Sequence, residues 1–276
     1  MSTISPHAII SPDAQIGSNV EISHFCIIES GVTIGNNCQF DSHVVIKPGV
    51  TIGNNNQFGS GSVIGGLPQH VSAPPPFGNV RIGEGNVFRE DTTVHRAIKE
   101  LSSTVIGNEN YLMAGAHVAH DCMIGDNNTL GNGVMLGGHV IVGNRAILGG
   151  GVGVHQHCRI GSLAMVGGQA LVLQDVPPFF TVDGLTSRIV GLNLVGLQRN
   201  GQASEEIKTL KKAYFTLYRS GLTWKEILQN LQENYSSELV AELTQFLLTS
   251  TNRGIVRERV FKRDKSEVQS EGCAQP

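Results

Sequence analysis

A large apolar side chain returns at every sixth residue over most of this chain. Stepping by six from Ile4 one meets Ile10, Ile16, Ile22, Ile28, Ile34, Phe40, Ile46, Ile52, Phe58 and Ile64. The series resumes at Ile82, Phe88 and Val94, and again from Ile106 through Leu112, Val118, Ile124, Leu130, Leu136, Val142, Leu148, Val154, Ile160 and Val166 to Val172. All 26 positions are apolar. A second column, two residues earlier, is small: Ala8, Ala14, Val20, Val32, Val44, Val50, Ala116, Val134, Val140, Ala146, Val152 and Ala164. Two inward sites per hexad, one large and one small, describe a short strand followed by a tight turn, the unit of a parallel β-helix of hexapeptide repeats.

The glycines give the size of a coil. Gly17, Gly35 and Gly53 are 18 apart, as are Gly107, Gly125, Gly143 and Gly161, and several precede an Asn, which tolerates left-handed turn geometry. Three hexads therefore make one coil with three flat faces. The step widens to 30 between Gly53 and Gly83 and to 24 between Gly83 and Gly107. Two loops thus leave the coil, one near 65–81 with Pro74-Pro75-Pro76 and one near 97–105.

Composition excludes several classes. Net charge is −3 and pI about 6.4, which leaves no electrostatic footprint for nucleic acid. No stretch approaches the roughly 20 apolar residues of a membrane span, and the start resembles no signal peptide. Five cysteines without CxxC spacing argue against a disulfide framework or a zinc ribbon, so a cytoplasmic home is expected. Cys26, Cys38, Cys122 and Cys158 fall in the small column and read as buried hydrophobes. Asn56, Asn86, Asn110 and Asn128 share that column and read as a stacked amide ladder.

The histidines suggest chemistry. Once the loops are discounted, His95, His117, His120, His139 and His155 form a column over four coils, whereas His7, His24, His43 and His157 read as solvated. The segment Gly115 to Cys122 sets two imidazoles three residues apart beside Asp121. A histidine titrating near neutrality can take a proton from a hydroxyl and return it to a leaving group. No nucleophile elbow, GxxxxGK or GxGxxG follows a strand, so direct transfer with one general base suits the residues. Zinc held by imidazoles is the rival use.

The segments AGAHVAHDC (Ala114 to Cys122), LGGHVIVG (Leu136 to Gly143), GVHQ (Gly153 to Gln156), GLQR (Gly196 to Arg199) and AYFTLYRSG (Ala213 to Gly221) resemble the UDP-N-acetylglucosamine O-acyltransferases of lipid A synthesis. The match runs from about Ile4 to Arg257. It implies a left-handed β-helix, a homotrimer with sites between subunits, and transfer of a 3-hydroxyacyl chain from acyl carrier protein to the sugar 3-hydroxyl without cofactor or metal. Carried over residue by residue, it makes His120 the general base, Asp121 its orienting partner and the Gly138 N–H the oxyanion donor, worth ~3 kcal/mol. Adjacent strand side chains point to opposite faces, so the role of Asp121 requires a turn. It has His117, His139, His155 and Gln156 bind substrate, Asn193 and Arg199 hold the nucleotide, and Gly168 act as acyl-chain ruler.

The chain also departs from that pattern. Pro68-Gln69-His70-Val71-Ser72 lacks the acid and lysine of the family's first loop, and Thr186, Val195 and Asn200 stand where a histidine, an acid and an arginine are expected. Reaction type therefore rests on more residues than acceptor identity. The alternatives are an N-acyltransferase on a related amino nucleotide sugar, a γ-carbonic-anhydrase-like zinc enzyme, and a noncatalytic β-helix module.

After Pro177-Pro178 the hexads stop, dividing the chain into a β-helix over 1–176, a helical domain over 177–257 and a charged, disordered tail over 258–276. Ser204 to Arg219 reads as a helix. Thr223 and Glu226 form a capping box for a second, and Ser236 or Ser237 caps a third. Lys208, Lys211, Lys212, Arg219 and Lys225 offer a basic patch to an acidic carrier protein, or simply a solvated face.

Overall fold

The computed structural model describes residues 2–249 and 252–259. Strands of two to four residues, separated by turns, wind into a three-sided prism, a left-handed parallel β-helix with a small helical region at its C-terminal end. Among the described residues the first face holds eleven strands, from Thr3–Ile4 to Met165–Val166 and on to Phe180–Val182 and Ile189–Leu192. The second has nine, from Ile9–Ile10 to Leu171–Val172, and the third eight, from Gln15–Ile16 to Arg159–Ile160. All pairings are parallel except that of Phe180–Val182 with Ile189–Leu192.

The hexad positions face inward. They are buried from Ile22 to Val172, whereas Ile4 is 44 % exposed and Ile10 and Ile16 are partly covered. Among the described residues the first coil is covered on one side only, by the coil that follows it, so its apolar positions are less enclosed. The 18-residue coil recurs as register, with Gln39 opposite Gln57, and the two wider steps recur as Gln57 opposite Val87 and Val87 opposite Tyr111. Phe40, Phe58 and Phe88 stack at 4.8 and 4.7 Å, the strand spacing itself. At the turns backbones touch: a Cβ on Gly35 would stand 2.6 Å from the Gly53 carbonyl carbon.

The amide ladder forms. Asn86 Nδ2 donates to Asn56 Oδ1 at 3.0 Å, Asn110 to Asn86 at 2.9 Å and Asn128 to Asn110 at 3.0 Å. Each oxygen also accepts the next coil's backbone N–H, so four buried amides are satisfied. The four cysteines are fully buried, and burial pushes the Cys122 thiol up to about 12 and that of Cys158 to about 11.

Beyond the prism lie α1 (Leu194–Arg199), α2 (Ser204–Arg219), α3 (Trp224–Glu233) and α4 (Glu238–Leu248). The Thr223–Glu226 capping box opens α3 and Ser237 caps α4. Helix α1 was not anticipated, being too short to show a period. The basic patch is thinner than expected: Lys208 pairs with Glu205 at 2.6 Å, and Arg219 is bound by Glu258. Glu258 also takes the Tyr214 hydroxyl and bridges Ile189, and Arg259 reaches Asp183, so two residues assigned to the tail are still part of the fold. The rest of that expected tail, 260–276, lies outside the described residues. Among the described residues no helix is long and apolar enough to cross a membrane.

Candidate active site

The corner between the second and third faces carries the histidines. Pairing of Val118 with Leu136 and of Leu136 with Val154 puts Ala119, Gly137 and His155 at one repeat position, His120, Gly138 and Gln156 at the next, and Asp121, His139 and His157 at the third. The last three all adopt left-handed backbone, with φ of 59°, 60° and 63°. The turn required for Asp121 is therefore present: it brings the carboxylate back beside its neighbour, and His120 Nδ1 lies 2.9 Å from Asp121 Oδ2.

Asp121 is clamped from the second inserted loop. Its Oδ2 accepts the Ile98 N–H at 3.1 Å, its Oδ1 accepts the Ser102 hydroxyl at 3.2 Å, and its own N–H donates to buried Thr104 Oγ1 at 2.8 Å. Burial alone would raise this carboxyl. The bonds from Ile98, His120 and Ser102, together with nearby His139, outweigh it and hold the carboxyl below the usual range. An ionised partner accepts a proton only from an N–H, so the neutral His120 ring carries its proton on Nδ1 and leaves Nε2 bare.

Gly138 stands one coil above His120 at the same repeat position. The imidazole occupies the space a side chain there would fill, and a Cβ on Gly138 would be 2.6 Å from Nε2. The Gly138 N–H donates to no acceptor among the described residues, while its carbonyl takes the His157 N–H. His120 is only 6 % exposed and opens onto a cavity of about 360 Å³ lined also by Gln69, His117, Gly138, His155 and Gln156. Met135 and Leu171 give that cavity an apolar side.

The expected single column of histidines separates into two rows. On the second face His117 accepts from, or donates to, Thr93 Oγ1 at 2.8 Å and meets the His95 ring at 5.1 Å. Burial, then His95, lowers the His117 pKa. His95 donates from Nδ1 to Leu67 O at 2.7 Å and so fastens the first loop. At the corner, His139 lies beside His120, with rings 5.2 Å apart and Nε2 3.9 Å from Asp121 Oδ2, and is not part of the cavity lining. His157, read as solvated, stacks on His139 at 4.6 Å and 7°. The reason is the repeat: left-handed corner residues one coil apart point the same way. His70, on the departing loop, meets His120 edge-on at 6.0 Å. Its proximity followed from no spacing, because an inserted loop has no register. His7, His24 and His43 likewise group around exposed Phe25.

Three expected site residues lie elsewhere. Gly168 sits at the corner between the first and second faces, against Gly150 O. Asn193 belongs to the corner between the third and first faces, where its Nδ2 donates to Leu163 O at 2.9 Å and its Oδ1 caps α1 through Gly196 N–H at 2.9 Å. Its amide is thereby occupied inside the fold. Arg199 ends that same helix, exposed.

The chain matches the family model for the second domain of Udp N-acetylglucosamine O-acyltransferase over residues 175–256, and the bacterial transferase hexapeptide model over 31–66 and 103–138. It is 55 % identical to the acyl-[acyl-carrier-protein]--UDP-N-acetylglucosamine O-acyltransferase of Sulfurihydrogenibium sp. over 94 % of this chain and 96 % of that one. The counterpart in Thermodesulfovibrio yellowstonii is 40 % identical over 93 % of this chain and all of its own length. Among solved structures, LpxA, a UDP-N-acetylglucosamine acyltransferase from Bacteroides fragilis, superposes with a TM-score of 0.89 at 36 % identity, covering 92 % of this chain and 100 % of that one. With relatives of this identity along nearly its whole length, and with the prism, the helical end and the histidine corner in place, the chain belongs to the UDP-N-acetylglucosamine O-acyltransferase family.

Proposed function

We propose that this chain transfers a 3-hydroxyacyl group from acyl carrier protein to the 3-hydroxyl of UDP-N-acetylglucosamine, the first step of lipid A biosynthesis. His120 Nε2 removes the hydroxyl proton as the sugar oxygen attacks the thioester carbonyl. The tetrahedral oxyanion forms against the Gly138 N–H, and His120 returns the proton to the departing thiolate. Asp121 fixes the ring tautomer and stabilises the imidazolium between the two transfers.

The observation that carries this reading is the placement of one bare imidazole nitrogen and one uncommitted backbone N–H side by side over a 360 Å³ cavity. His117, His155 and Gln156 bind the acceptor from the cavity wall, and His139 supports it from the corner. Gly168, Asn193 and Arg199 stand on the two other corners of the prism, so one chain cannot gather them around His120. A homotrimer, with each site shared between neighbours, brings a second corner to the first and covers the exposed Met123, Met135 and Leu171. In it Asn193 builds the helix that presents the Arg199 guanidinium to the nucleotide phosphates, and Gly168 leaves room for the acyl end. Exposed Lys211, Lys212 and Lys225 face the acidic carrier protein. The expected location is cytoplasmic.

The test is acyl transfer from 3-hydroxyacyl carrier protein to UDP-N-acetylglucosamine by the chelator-treated protein and by His120→Ala. Turnover without metal and a loss of about 10²–10⁴-fold in the variant are expected. An inactive wild type, or activity that rises with bound zinc, would contradict the proposal.

A further inference from the structure

The corner that carries His120 holds a second arrangement of donor atoms besides the hydrogen-bonded dyad. His120 Nδ1 and His139 Nε2 approach the same oxygen, Asp121 Oδ2, at 2.9 and 3.9 Å, and the three atoms lie within 4.8 Å of one another. Ligand atoms around a tetrahedral zinc, bound at about 2.0–2.2 Å, stand roughly 3.4 Å apart. Small movements of the side chains convert one arrangement into the other.

The backbone fixes the three where they are. Asp121 and His139 hold the same left-handed position on consecutive coils, and the His139 N–H donates to His120 O at 3.0 Å. Two imidazoles and one carboxylate suit zinc-like ions and are poor ligands for magnesium or calcium, which take oxygen. The His139 side chain is 41 % exposed, which gives an ion a path in. The loop imidazole of His70 also meets the His120 ring, edge-on with centroids 6.0 Å apart.

We propose that His120, Asp121 and His139 bind one divalent transition-metal ion of the zinc class, and that the bound ion switches off the base. A neutral imidazole has one ring proton. In the dyad it sits on Nδ1 and Nε2 is bare. A metal takes the lone pair of Nδ1, so the proton moves to Nε2 and none is gained or lost by the ring, while Asp121 exchanges an N–H for the metal. With Nε2 protonated, nothing remains to accept the proton of an attacking hydroxyl. The ion is an inhibitor, not a cofactor. Inhibition rests on the general-base reading above; binding does not.

The experiment titrates zinc, and separately cobalt(II), into the chelator-stripped full chain by calorimetry and visible spectroscopy. One ion per chain is expected, with the intense absorption of four-coordinate cobalt. His139→Gln and Asp121→Asn each weaken binding at least about tenfold, while keeping the wild-type melting temperature in chelator. His24→Asn, which removes an imidazole from the separate surface group around Phe25, leaves affinity unchanged. No saturable binding, a pale six-coordinate cobalt spectrum, or affinity indifferent to His139→Gln and Asp121→Asn overturns the site. Zinc should inhibit acyl transfer at its binding midpoint, with recovery in chelator. Full activity of the zinc-saturated protein would leave the site standing and overturn the switch, together with the role of His120 as base.

Discussion

The imidazole of His120 lies where the side chain of residue 138 would be if that residue were not glycine. Both hold the same repeat position on consecutive coils, and a Cβ on Gly138 would stand 2.6 Å from His120 Nε2. Coils stack at about 4.8 Å, so a ring turned along the stack needs an empty position on its neighbour. The vacancy also sets a backbone N–H beside the bare nitrogen. Room for the base and a donor for the oxyanion are one feature of the backbone.

Gly138→Ala should therefore separate geometry from composition. The N–H remains and the backbone at 138 is not left-handed, so the turn itself can tolerate alanine. The His120 ring cannot, and it must swing away from Asp121. A displacement of about 1 Å can cost roughly 100-fold in rate, so kcat should fall by about that factor with little change in melting temperature. A normal kcat with a raised KM would show that the ring does not depend on the vacancy.

Asp121→Asn keeps shape and removes charge. The amide either donates to His120 Nδ1, which forces the proton onto Nε2, or accepts from it without stabilising the imidazolium. Both outcomes slow proton transfer, by analogy with other His–Asp pairs by up to ~10⁴-fold. Asp121 does not line the cavity, so KM for the sugar nucleotide should stay near wild type. Steady-state kinetics of the variant decide between a loss in kcat and a loss in binding.

Much of this was legible in the sequence because a repeat converts spacing into geometry. The 26 apolar hexad positions fixed faces, coil length and loop sites, and the Asn56 to Asn128 ladder followed from one column. The capping residues at Thr223 and Ser237 likewise mark helices locally. What a repeat cannot encode is where a non-repeating element lands. His70 reaches His120 from an insertion, and the partners Ile98 and Ser102 reach Asp121 from another. His157 is exposed, as its place in a turn suggests, and what the sequence does not show is that its left-handed backbone sets it over His139. The resemblance named Asn193 and Arg199 but gave no sign that Asn193 is committed to capping α1.

The half-buried setting of His117 makes stability depend on pH. Burial, then His95, lowers its pKa below 6.5 in the folded chain. Below that value the unfolded chain binds a proton that the folded chain refuses, so the unfolded state holds more protons and stability rises with pH. Melting temperature should climb as pH rises from below 6.5 through that value and then level off. In His117→Gln, which can still bond Thr93, the climb should be shallower. An equal slope in both proteins would locate the dependence in other groups.

The helical end is tied to the last coil by a charge pair that no hexad suggests. Arg159 projects outward from the third face, yet only 9 % of it is exposed, because α4 covers it. Its Nε donates to Asp175 Oδ2 at 2.9 Å, Nη1 to Thr249 Oγ1 at 2.9 Å and Nη2 to Phe246 O at 3.0 Å, with the guanidinium 4.0 Å over the Phe246 ring. Asp175, fully buried, also accepts the Arg159 N–H and bridges Ile255. Removing one partner of such a pair leaves the other charge buried, a cost of about 3–5 kcal/mol. In a chain of this size that corresponds to a fall of roughly 10 °C in melting temperature. Asp175→Ala should show it in thermal unfolding followed by far-ultraviolet circular dichroism. Replacing both partners together, as Arg159→Met with Asp175→Leu, should recover much of the loss, because the apolar pair buries no charge. If the double variant is as unstable as the single one, the tie is the specific hydrogen bonding of Arg159 to α4 and not the avoidance of an unpaired charge.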